Sequence, residues 1–410
     1  MPQNTKKPQL RFKGFTEDWE QRKLREIATY KNGKSNENYQ VCSGKYELIN
    51  LNSVSIDGGL KHSGKFVDIA TETLRKNDLV MILSDVAHGD LLGRVALIPE
   101  SNKFVLNQRV ALLRLDDSRC AEFLFSYINS KQAYFKSLGA GSSQLNISKD
   151  TVENFDIKLP SLEEQISVSK FFEALDNLIT LHQRKLEKLK NVKKSMLEKM
   201  FPKNDSNIPE IRFKGFTDDW EQRKLGEIFQ KIRNAFVGTA TPYYVKDGGH
   251  FYLESNNVKD GQINRISEIF INDEFYEKQK DNWLHTNDIV MVQSGHVGHT
   301  AVIPKDLDNT AAHALIIIAN PSEKICPRFV NYQFQAPEAK IEIDNITTGN
   351  TIKHILASEM KKFDIQVPSY EEQRCISKFF ARLDSFITLH QRKLKKLQNI
   401  KKACLEKMFV

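Results

Sequence analysis

The feature that most constrains this chain is an internal repeat. The segment RFKGFTEDWEQRKL at 11–24 returns as RFKGFTDDWEQRKL at 212–225, with 13 of 14 positions identical. A second block at 157–201 returns at 365–409, with 30 of 45 positions identical. Repeated blocks of this length indicate copies of one structural unit. The sequence therefore predicts two similar folds in a chain of 410 residues, which is long enough for more than one domain.

Between the matching blocks the two copies differ at most positions. Short echoes remain, such as NDLVM at 77–81 against NDIVM at 287–291, and ALIP at 96–99 against AVIP at 301–304. A shared frame with different surfaces explains both the echoes and the divergence. We expect identical parts to contact identical partners or each other, and different parts to contact different things.

Each second block predicts a long helix. Ser161 followed by Glu164, and Ser369 followed by Glu372, have the spacing of a capping box. Apolar residues then recur at intervals of three and four, close to a heptad, and neither proline nor glycine interrupts them. Roughly 38 residues at about 1.5 Å each make a rod of about 57 Å. Its apolar stripe needs a packing partner, and the helix of the other copy is the obvious candidate.

The opposite face of these helices is basic. Residues 181–202 contain seven Lys or Arg and two Glu. A solvated coiled-coil surface, a contact with a phosphate backbone and a contact with an acidic partner all fit this composition. His182 and His390 occupy equivalent positions in the apolar stripe, and we expect them to help fix the register of the helices.

The divergent middles predict mixed α/β structure. Runs of apolar and β-branched residues bounded by Gly, Ser, Asn and His are typical of strands and their loops. The predicted strands are Lys45–Leu51, Leu79–Leu83, Arg94–Ile98 and Phe104–Leu115 in the first copy, and Phe251–Ser255, Ile289–Gln293, Thr300–Ile303 and Ala314–Ala319 in the second. A helix is expected at Cys120–Leu138, with its aromatic residues in the core.

Composition limits the class of protein. Hydrophobic residues make up 40% and charged residues 27%, which is ordinary for a soluble globular chain. No apolar run approaches the ~18 residues of a membrane span. Five cysteines without a C-x-x-C pair favour a reducing cytoplasm over a disulfide framework or a zinc ribbon. The net charge of +8 is compatible with a polyanionic partner.

No catalytic motif in the sequence is complete. Asn320-Pro321 lacks the second proline and the aromatic residue of an adenine methyltransferase motif. GLKHSGK at 59–65 is followed by Phe66, which has no hydroxyl for the magnesium ion of a phosphate-binding loop. His296 and His299 are three apart without a further evident ligand, so a polar loop tip and a base contact are their two interpretations. We therefore expect no active site, metal or cofactor in this chain.

The order of these blocks resembles the specificity (S) subunit of type I restriction-modification systems. The resemblance is carried by the WEQRKL segments, the helix openings LPSLEEQ and VPSYEEQ, the FF-x-x-LD and LHQRKL runs, and NDIVMVQSGHVGHTAVIP at 287–304. It covers essentially the whole chain, and the duplicated order is more specific than any single motif.

The resemblance implies an α+β fold in which two similar mixed α/β target recognition domains are separated by two long antiparallel helices, with a pseudo-two-fold internal repeat. The implied boundaries are 1–158 and 202–366 for the recognition domains, and 159–201 and 367–410 for the helices. The helices serve as a spacer and as a docking surface for partners.

The resemblance also implies a function. Each recognition domain would read one half of a bipartite, asymmetric double-stranded DNA target, and the helices would set the gap. Two modification subunits, which carry S-adenosylmethionine and methylate adenine at N6, would dock on the repeated parts. Two restriction subunits, which use ATP and Mg, are optional further partners. The chain itself would perform no chemistry and would act in the cytoplasm.

The candidate DNA contacts are polar and basic loop residues where the copies differ, since such side chains read base edges and bind phosphates. They are Lys34, Asn52, Ser84, His88, Arg94, Gln108, Arg109, Ser143 and Gln144 in the first copy, and Asn256, Asn257, Gln293, Ser294, His296, His299, His313, Asn350 and Lys353 in the second. Arg94 and His299, at equivalent positions in GRVALIP and GHTAVIP, are the preferred pair. At every position an ordinary solvated loop residue is the alternative.

Two other classes of function also fit the residues. An adaptor could tether two proteins through the paired helices without any nucleic acid. An enzyme could have a site too dispersed along the chain for sequence motifs to show. Strong salt-dependent DNA binding, improved by the modification partner, separates the first hypothesis from the adaptor. Absence of activity of the isolated chain on nucleotide or DNA substrates would count against the enzyme.

Overall fold

The protein is described here by a computed structural model that covers residues 7–86, 88–116, 119–203, 206–349 and 353–410. The chain divides into two compact units. Unit 1 comprises Met1–Gln183 and Arg392–Val410, and unit 2 comprises Arg184–Gln391. Within the described ranges, no helix has the length and apolarity needed to cross a membrane.

Unit 1 is built on a four-stranded antiparallel sheet and a smaller three-stranded sheet. Its strands are β1 (Glu20–Lys23), β2 (Ala28–Asn32), β3 (Tyr46–Ile49), β4 (Phe66–Val67), β5 (Leu79–Ile82), β6 (Ser84–Asp85), β7 (Val95–Leu97), β8 (Phe104–Leu106), β9 (Val110–Leu115), β10 (Leu145–Asn146) and β11 (Asp156–Leu159). Its helices are α1 (Ala121–Ser130), α2 (Gln132–Ser137), α3 (Lys149–Glu153) and the first part of α4 (Leu162–Lys199). The larger sheet has the order β2-β9-β5-β7 and the smaller one β4-β3-β8, while β1 pairs with β11 and β6 with β10.

Unit 2 repeats this plan with small additions. Its strands are β12 (Glu221–Lys224), β13 (Phe229–Asn234), β14 (Tyr244–Val245), β15 (His250–Leu253), β16 (Val258–Lys259), β17 (Gln262–Ile263), β18 (Ile269–Ile271), β19 (Ile289–Val292), β20 (Thr300–Val302), β21 (Ala311–Ala312), β22 (Leu315–Pro321) and β23 (Asp364–Val367). Its helices are α5 (Leu225–Ile228), α6 (Asp273–Lys278), α7 (Pro327–Gln333), α8 (Pro337–Ile346), α9 (Ala357–Lys362) and the first part of α10 (Tyr370–Met408). The sheets have the orders β13-β22-β19-β20 and β14-β18-β15-β21.

The larger sheets of the two units have the same order and register, which confirms the prediction of one fold in two copies. In unit 1, β5 pairs Leu79 with Leu97 of β7. In unit 2, β19 pairs Ile289 with Val302 of β20. The strands that carry the sequence echoes are therefore the same strands of the two sheets.

The central strand of each larger sheet is apolar at four consecutive positions. In β5, Leu79 and Met81 enter the core that packs against the helices, while Val80 and Ile82 enter a second core on the side of the smaller sheet. Because successive side chains of a strand point to opposite faces, four apolar residues in a row require a core on each side. In β19 the residues divide between two cores in the same way.

The predicted capping box is only half present. The Ser161 hydroxyl accepts a hydrogen bond from the N–H of Glu164 at 3.4 Å. The Glu164 carboxylate does not turn back to the cap but accepts two hydrogen bonds of 2.7 Å from the guanidinium of Arg11. Glu164 is almost fully buried, and a buried carboxylate needs a charged, hydrogen-bonded partner. Arg212 and Glu372 form the same forked pair in unit 2.

The glutamine of the EEQ motif joins the long helix to α1. The amide oxygen of Gln165 accepts the N–H of Cys120 at 3.3 Å, and its nitrogen donates to the carbonyl of Pro160 at 2.9 Å. Gln373 makes the equivalent two bonds in unit 2. The EEQ motif thus ties together the opening segment, the helix start and the first helix after the sheet.

In unit 1 the start of α4 packs antiparallel to the end of α10. Phe172 stacks on Phe409, with ring centroids 5.6 Å apart. Asp176 then binds Lys401 at 2.6 Å. Residue numbers rise along one helix while they fall along the other, so the two segments run in opposite directions.

Unit 2 contains the reciprocal arrangement, with the start of α10 against the end of α4. Phe380 stacks on Phe201, with centroids 6.1 Å apart. Asp384 binds Lys193 at 2.7 Å and also accepts a hydrogen bond from the Tyr332 hydroxyl at 2.8 Å. The antiparallel packing of the two repeated helices is therefore present in each unit.

Several predicted elements differ in their limits. The predicted strand Phe104–Leu115 is two strands, β8 and β9, because Arg109 adopts a left-handed φ of 66° in the turn between them. The predicted helix Cys120–Leu138 is interrupted at Lys131, between α1 and α2. Leu178 and Phe386, which belong to the predicted apolar stripe, are exposed. The remaining predicted strands are present with ends shifted by one or two residues.

Candidate nucleic-acid interface

Three segments of unit 1 meet where the larger sheet ends. The N–H of Leu83, just after β5, donates to the carbonyl of Arg109 in the turn before β9, at 3.0 Å. The carbonyl of Leu83 accepts the N–H of Ile147 at 2.9 Å. We call residues 83–86, 107–109 and 140–147 the loop edge of unit 1. The predicted contacts that this edge brings together are Ser84, Gln108, Arg109, Ser143 and Gln144.

Unit 2 has an equivalent loop edge, made by equivalent bonds. The N–H of Gln293 donates to the carbonyl of Ala314 at 3.3 Å, and its carbonyl accepts the N–H of Ile355 at 3.1 Å. Ala314 has a left-handed φ of 52°, as Arg109 does in unit 1. We call residues 293–295, 313–314, 347–349 and 353–355 the loop edge of unit 2. The predicted contacts found there are Gln293, Ser294, His313 and Lys353, whereas Asn350 lies outside the described residues.

A short 3-10 helix borders each loop edge. Leu51–Ser53 does so in unit 1 and Ser255–Asn257 in unit 2. The last residue of the strand before each helix, Ile49 in unit 1 and Leu253 in unit 2, accepts a backbone N–H from the turn of the loop edge at 2.9 Å. The donors are Asn107 and His313. Asn52 and Asn256 therefore stand at equivalent positions, and both are exposed.

The predicted contact residues differ in exposure. The exposed ones are Lys34, Asn52, His88, Arg109, Ser143, Asn256, His296 and Lys353. The half-buried ones are Arg94, Gln108, Gln144, Gln293, Ser294, His299 and His313. Each unit therefore presents amide, hydroxyl, imidazole and cationic groups beside its sheet, which are the groups that bind phosphates and base edges.

Two of the predicted contact residues are buried, and their expected exposure is corrected. Ser84 is 4% exposed and donates a hydrogen bond to the side chain of Asn146. Asn257 is 2% exposed and donates to the carbonyls of Asn264 and Ser267 at 3.1 and 3.0 Å. Polar side chains that lose water when buried need such partners. These two residues therefore hold the loops in place and do not face outwards.

Arg94 and His299 have equivalent backbone positions but different side-chain environments. Each carbonyl accepts an N–H from the end of the neighbouring central strand, at 2.9 and 2.8 Å. The Arg94 guanidinium donates to the carbonyl of Asn129 at 2.8 Å, and burial lowers its pKa. The ring of His299 accepts the N–H of Asp260 at 3.4 Å, and burial lowers its pKa. Arg94 is thus bound to α1 of its own unit, while His299 faces the hairpin that follows β16.

An electrostatic pair stands at the loop edge of unit 2. Nε2 of His313 is 2.9 Å from the carbonyl of Gly238, and Nδ1 is 3.6 Å from the carboxylate of Glu254. Both neighbours only accept hydrogen bonds, so the geometry favours the doubly protonated ring. Interaction with the Glu254 carboxylate raises the pKa of His313, and the imidazole in turn lowers the pKa of Glu254.

Sequence reasoning missed several residues that hold these edges. Glu254 is the N-cap of the 3-10 helix in unit 2, where Asn50 has the same role in unit 1. Asn107 accepts the N–H of Asn36 at 3.1 Å, at the position that His313 occupies in unit 2. An alignment of the two middles, strand by strand, would have revealed these pairs. The short echoes alone were too far apart to place the loops between them.

A second candidate surface lies on the long helices and is nearly the same in both units. Each surface is a shallow groove along one exposed helix face, with volumes of about 480 Å³ in unit 2 and 510 Å³ in unit 1. The identical lining residues are Arg184, Lys188 and Asn191 in unit 2, and Arg392, Lys396 and Asn399 in unit 1. These side chains are exposed, so packing in a protein core does not explain why they are identical in the two copies.

The described parts of the chain show no cluster of three or more His, Cys, Asp or Glu side chains that could hold a metal ion. His296 and His299 have ring centroids 6.4 Å apart. They are thus neighbours in a glycine-containing loop, beside the hairpin of β16 and β17.

Comparison with known proteins identifies the family. The family model described as the type I restriction modification DNA specificity domain matches residues 16–191 and 217–399. The chain belongs to this family. The two matches correspond to the two copies of the repeat, and together they cover most of the chain, so the resemblance drawn from the sequence is confirmed.

Two relatives of this specificity family come from Methanocaldococcus jannaschii. The type I restriction enzyme MjaVIII specificity subunit is 25% identical, over 94% of this chain and 91% of its own. The putative MjaX specificity subunit is 26% identical over the same shares. Both relatives are therefore matched over nearly their full length.

Solved structures of the family share the fold. The S subunit from M. genitalium is similar with a TM-score of 0.66 at 17% identity, and the match covers 98% of this chain and 99% of that one. A chain from work on complex assembly and conformational transition of the type I R-M system matches with a TM-score of 0.56 at 16% identity, covering 96% and 98%. The α+β fold with two repeated units is thus that of the specificity subunits.

Proposed function

We propose that this specificity subunit recognises a bipartite, asymmetric double-stranded DNA target, and that each unit reads one half through its loop edge. One observation carries the proposal. The same backbone hydrogen bonds build both loop edges, yet the side chains that the edges present are different. Two loop edges with the same backbone and different polar side chains are suited to bind two half-sites of different DNA sequence in the same orientation.

The side chains that the two units present support the proposal that each unit reads one half-site. Unit 1 presents the cations Lys34 and Arg109, and unit 2 presents Lys353 and the imidazoles of His296 and His313. Cationic side chains bind phosphates in a salt-dependent manner and position the protein. Amide and imidazole groups can read the hydrogen-bonding edges of bases in the grooves. We expect the two halves of the target to differ in sequence for this reason.

We further propose that the long helices fix the number of base pairs between the two half-sites. α4 has 38 residues and α10 has 39, and each begins in one unit and ends in the other. A continuous helix does not change length without breaking its own hydrogen bonds. Insertion of whole helical turns should therefore change the gap and leave the two half-site sequences unaltered.

The helix grooves supply the proposed docking sites for partners. Because the two grooves share Arg, Lys and Asn at equivalent positions, they suit two copies of one partner with an acidic surface. We propose two modification subunits as these partners, and two restriction subunits as further members of the complex. S-adenosylmethionine, ATP and Mg would be bound by those subunits, and this chain would perform no chemistry.

The proposal is tested by mapping N6-methyladenine across the genome of cells that express this chain with a modification subunit. We expect one bipartite motif with a fixed gap. Replacing residues 52–144 with the corresponding residues of another family member should then change only one half of the motif. If the complex forms and binds DNA no better than an unrelated basic protein, the chain is an adaptor and the proposal is wrong.

A further inference from the structure

Unit 1 has an open groove beside its loop edge. The groove has a volume of about 380 Å³ and lies between β2 and the connection that follows β4. Leu74, Val105 and Leu106 contribute apolar surface to it. Tyr39 and Ile69 also line it, with 73% and 86% of their surfaces exposed. Exposed apolar side chains beside a groove of this kind indicate a binding surface.

The equivalent space in unit 2 is filled by the protein itself. Tyr39 ends the 3-10 helix Glu37–Tyr39, and Tyr243 ends the equivalent helix Thr241–Tyr243. The ring of Phe275, on α6, lies flat on Tyr243 with centroids 4.1 Å apart and an interplanar angle of 3°. The connection at 68–78 of unit 1 contains no helix. Unit 2 therefore shows what the site accepts, which is a flat ring stacked on the tyrosine.

The rim of the groove differs between the units in a way that favours a nucleotide in unit 1. Phe275 also contacts Phe236, with centroids 5.1 Å apart. Lys34 occupies the position of Phe236, since each forms the same parallel bridge with the turn of the loop edge. Lys34 is exposed and lines the groove. An aromatic face for stacking beside a cation for phosphate is the combination that binds unpaired nucleotides.

The groove is continuous with the surface that faces DNA in the proposed function. Glu37, in the same 3-10 helix as Tyr39, accepts a hydrogen bond from the side chain of Gln108 on the loop edge. The N–H of Asn36, which also lines the groove, donates to Asn107 of that edge at 3.1 Å. A strand of DNA that crosses the loop edge therefore passes the mouth of the groove.

We propose, on the basis of the proposed function, that this groove of unit 1 binds one base of the target that has left the helical stack, with Tyr39 as its stacking platform. Lys34 binds the adjoining phosphate. Because Phe275 closes the equivalent site, unit 2 holds its half-site without such a base. The two units thus read their half-sites in different ways, because this chain holds an unstacked base in unit 1 and has no equivalent open site in unit 2.

The test measures binding of the full chain, in complex with its modification subunit, to duplexes of the mapped target. A single abasic site is moved along the half-site read by unit 1. Stacking of one base on an aromatic side chain is worth about a 5- to 160-fold change in affinity. We expect Y39A to weaken binding to the intact duplex by about tenfold within that range. At one position of the half-site, removal of the base should lower the affinity of the wild type by as much as Y39A does. The same removal should lower the affinity of Y39A no further.

Three variants control the experiment. Y39F keeps the ring and should bind as the wild type does. T71F places a ring in the groove, in imitation of Phe275, and should weaken binding although Tyr39 is intact. I266S changes a side chain of unit 2 that is 91% exposed, and should have no effect. Thermal unfolding of Y39A checks that the unit remains folded.

The outcomes separate the two proposals. If the wild-type complex binds the mapped target no more tightly than an unrelated duplex, the proposed function fails. If the target is bound, but the losses of binding free energy caused by Y39A and by the abasic site are additive at every position, the groove does not hold a base. If Y39A releases the modification subunit and leaves DNA affinity unchanged, the occupant is a protein segment, which also overturns the inference.

Discussion

The two units share the contacts that build them and differ in the groups that they present. Arg11 with Glu164 and Arg212 with Glu372 form buried pairs of the same geometry. By contrast, one turn of the loop edge has Arg109 in unit 1 and Ala314 in unit 2, although both adopt a left-handed backbone. Positions that determine the backbone have stayed the same, and positions that point away from it have become different. Recognition can therefore vary without loss of the fold.

The largest expected effect breaks one buried pair and leaves its equivalent intact. E164Q leaves the Arg11 guanidinium without its charged partner, and loss of one member of a buried ion pair costs about 3–5 kcal/mol. We expect unit 1 to unfold at lower denaturant concentration while unit 2 is unchanged, with the reverse for E372Q. Hydrogen exchange read separately in the two units measures this. If either variant lowered the stability of both units equally, the two ion pairs would not act independently.

The second comparison concerns the ion pairs of the helix seam, which are equivalent in position but not in burial. Asp384 is mostly buried with Lys193 and is also bound by Tyr332, whereas Asp176 and Lys401 are more exposed. We expect D384N to destabilise unit 2 by about 2 kcal/mol, since hydrogen bonds to a buried charge are strong. D176N should cost unit 1 less than about 1 kcal/mol because solvent screens the pair. Urea unfolding monitored in each unit would detect the difference, and equal costs would contradict it.

The third comparison is the pH dependence of the two loop edges. His313 has a raised pKa, so its contribution to the stability of unit 2 is complete below the ordinary histidine value and is lost as the pH rises through the raised value. Glu254 has a lowered pKa, so its contribution is present above the ordinary value and is lost as the pH falls through the lowered one. Asn107 takes the place of His313 in unit 1 and does not titrate.

We therefore expect alkaline pH to loosen the loop edge of unit 2 more than that of unit 1. H313N, which copies the residue of unit 1, should remove the alkaline part of this difference. Amide exchange at 254–257 between pH 6 and pH 9, corrected for the intrinsic rate, provides the measurement. A wild-type protein with equal corrected exchange across this range would show that the pair is not formed.

The smallest expected effect concerns two lysines, Lys353 on the loop edge of unit 2 and Lys34 beside the loop edge of unit 1. Lys353 is paired with Asp344 at 3.1 Å, while Lys34 lines the open groove. Loss of one phosphate contact lowers the salt slope of DNA binding by about one. We expect this from K34Q, and a smaller change from K353Q because Lys353 must first leave its carboxylate. Titrations at several salt concentrations would measure both slopes. A larger change of the salt slope from K353Q than from K34Q would contradict this expectation.

Much of the fold follows from short-range patterns. The apolar runs that begin in NDLVM and NDIVM predict buried strands, and the heptad spacing predicts the long helices. The contacts of Arg11 with Glu164, 153 residues apart, leave no local pattern. For the same reason, Ser84 and Asn257 resemble exposed loop residues in the sequence, although partners that are distant or bound through backbone carbonyls bury them. The sequence predicts the loop segments of the candidate site, and burial in the folded units decides which of their side chains face outwards.

The exchange of helix ends between the units affects the order in which the protein can fold as it leaves the ribosome. Phe409 packs against Phe123, Tyr127 and Phe172 in the core of unit 1. All of unit 2 is synthesised between those residues and Phe409. At about 5–20 residues per second, the nascent unit 1 waits roughly 10–50 s with part of its core uncovered. Unit 2 is thus the first unit whose residues are all present, and unit 1, whose synthesis begins first, depends on a segment that is made after unit 2.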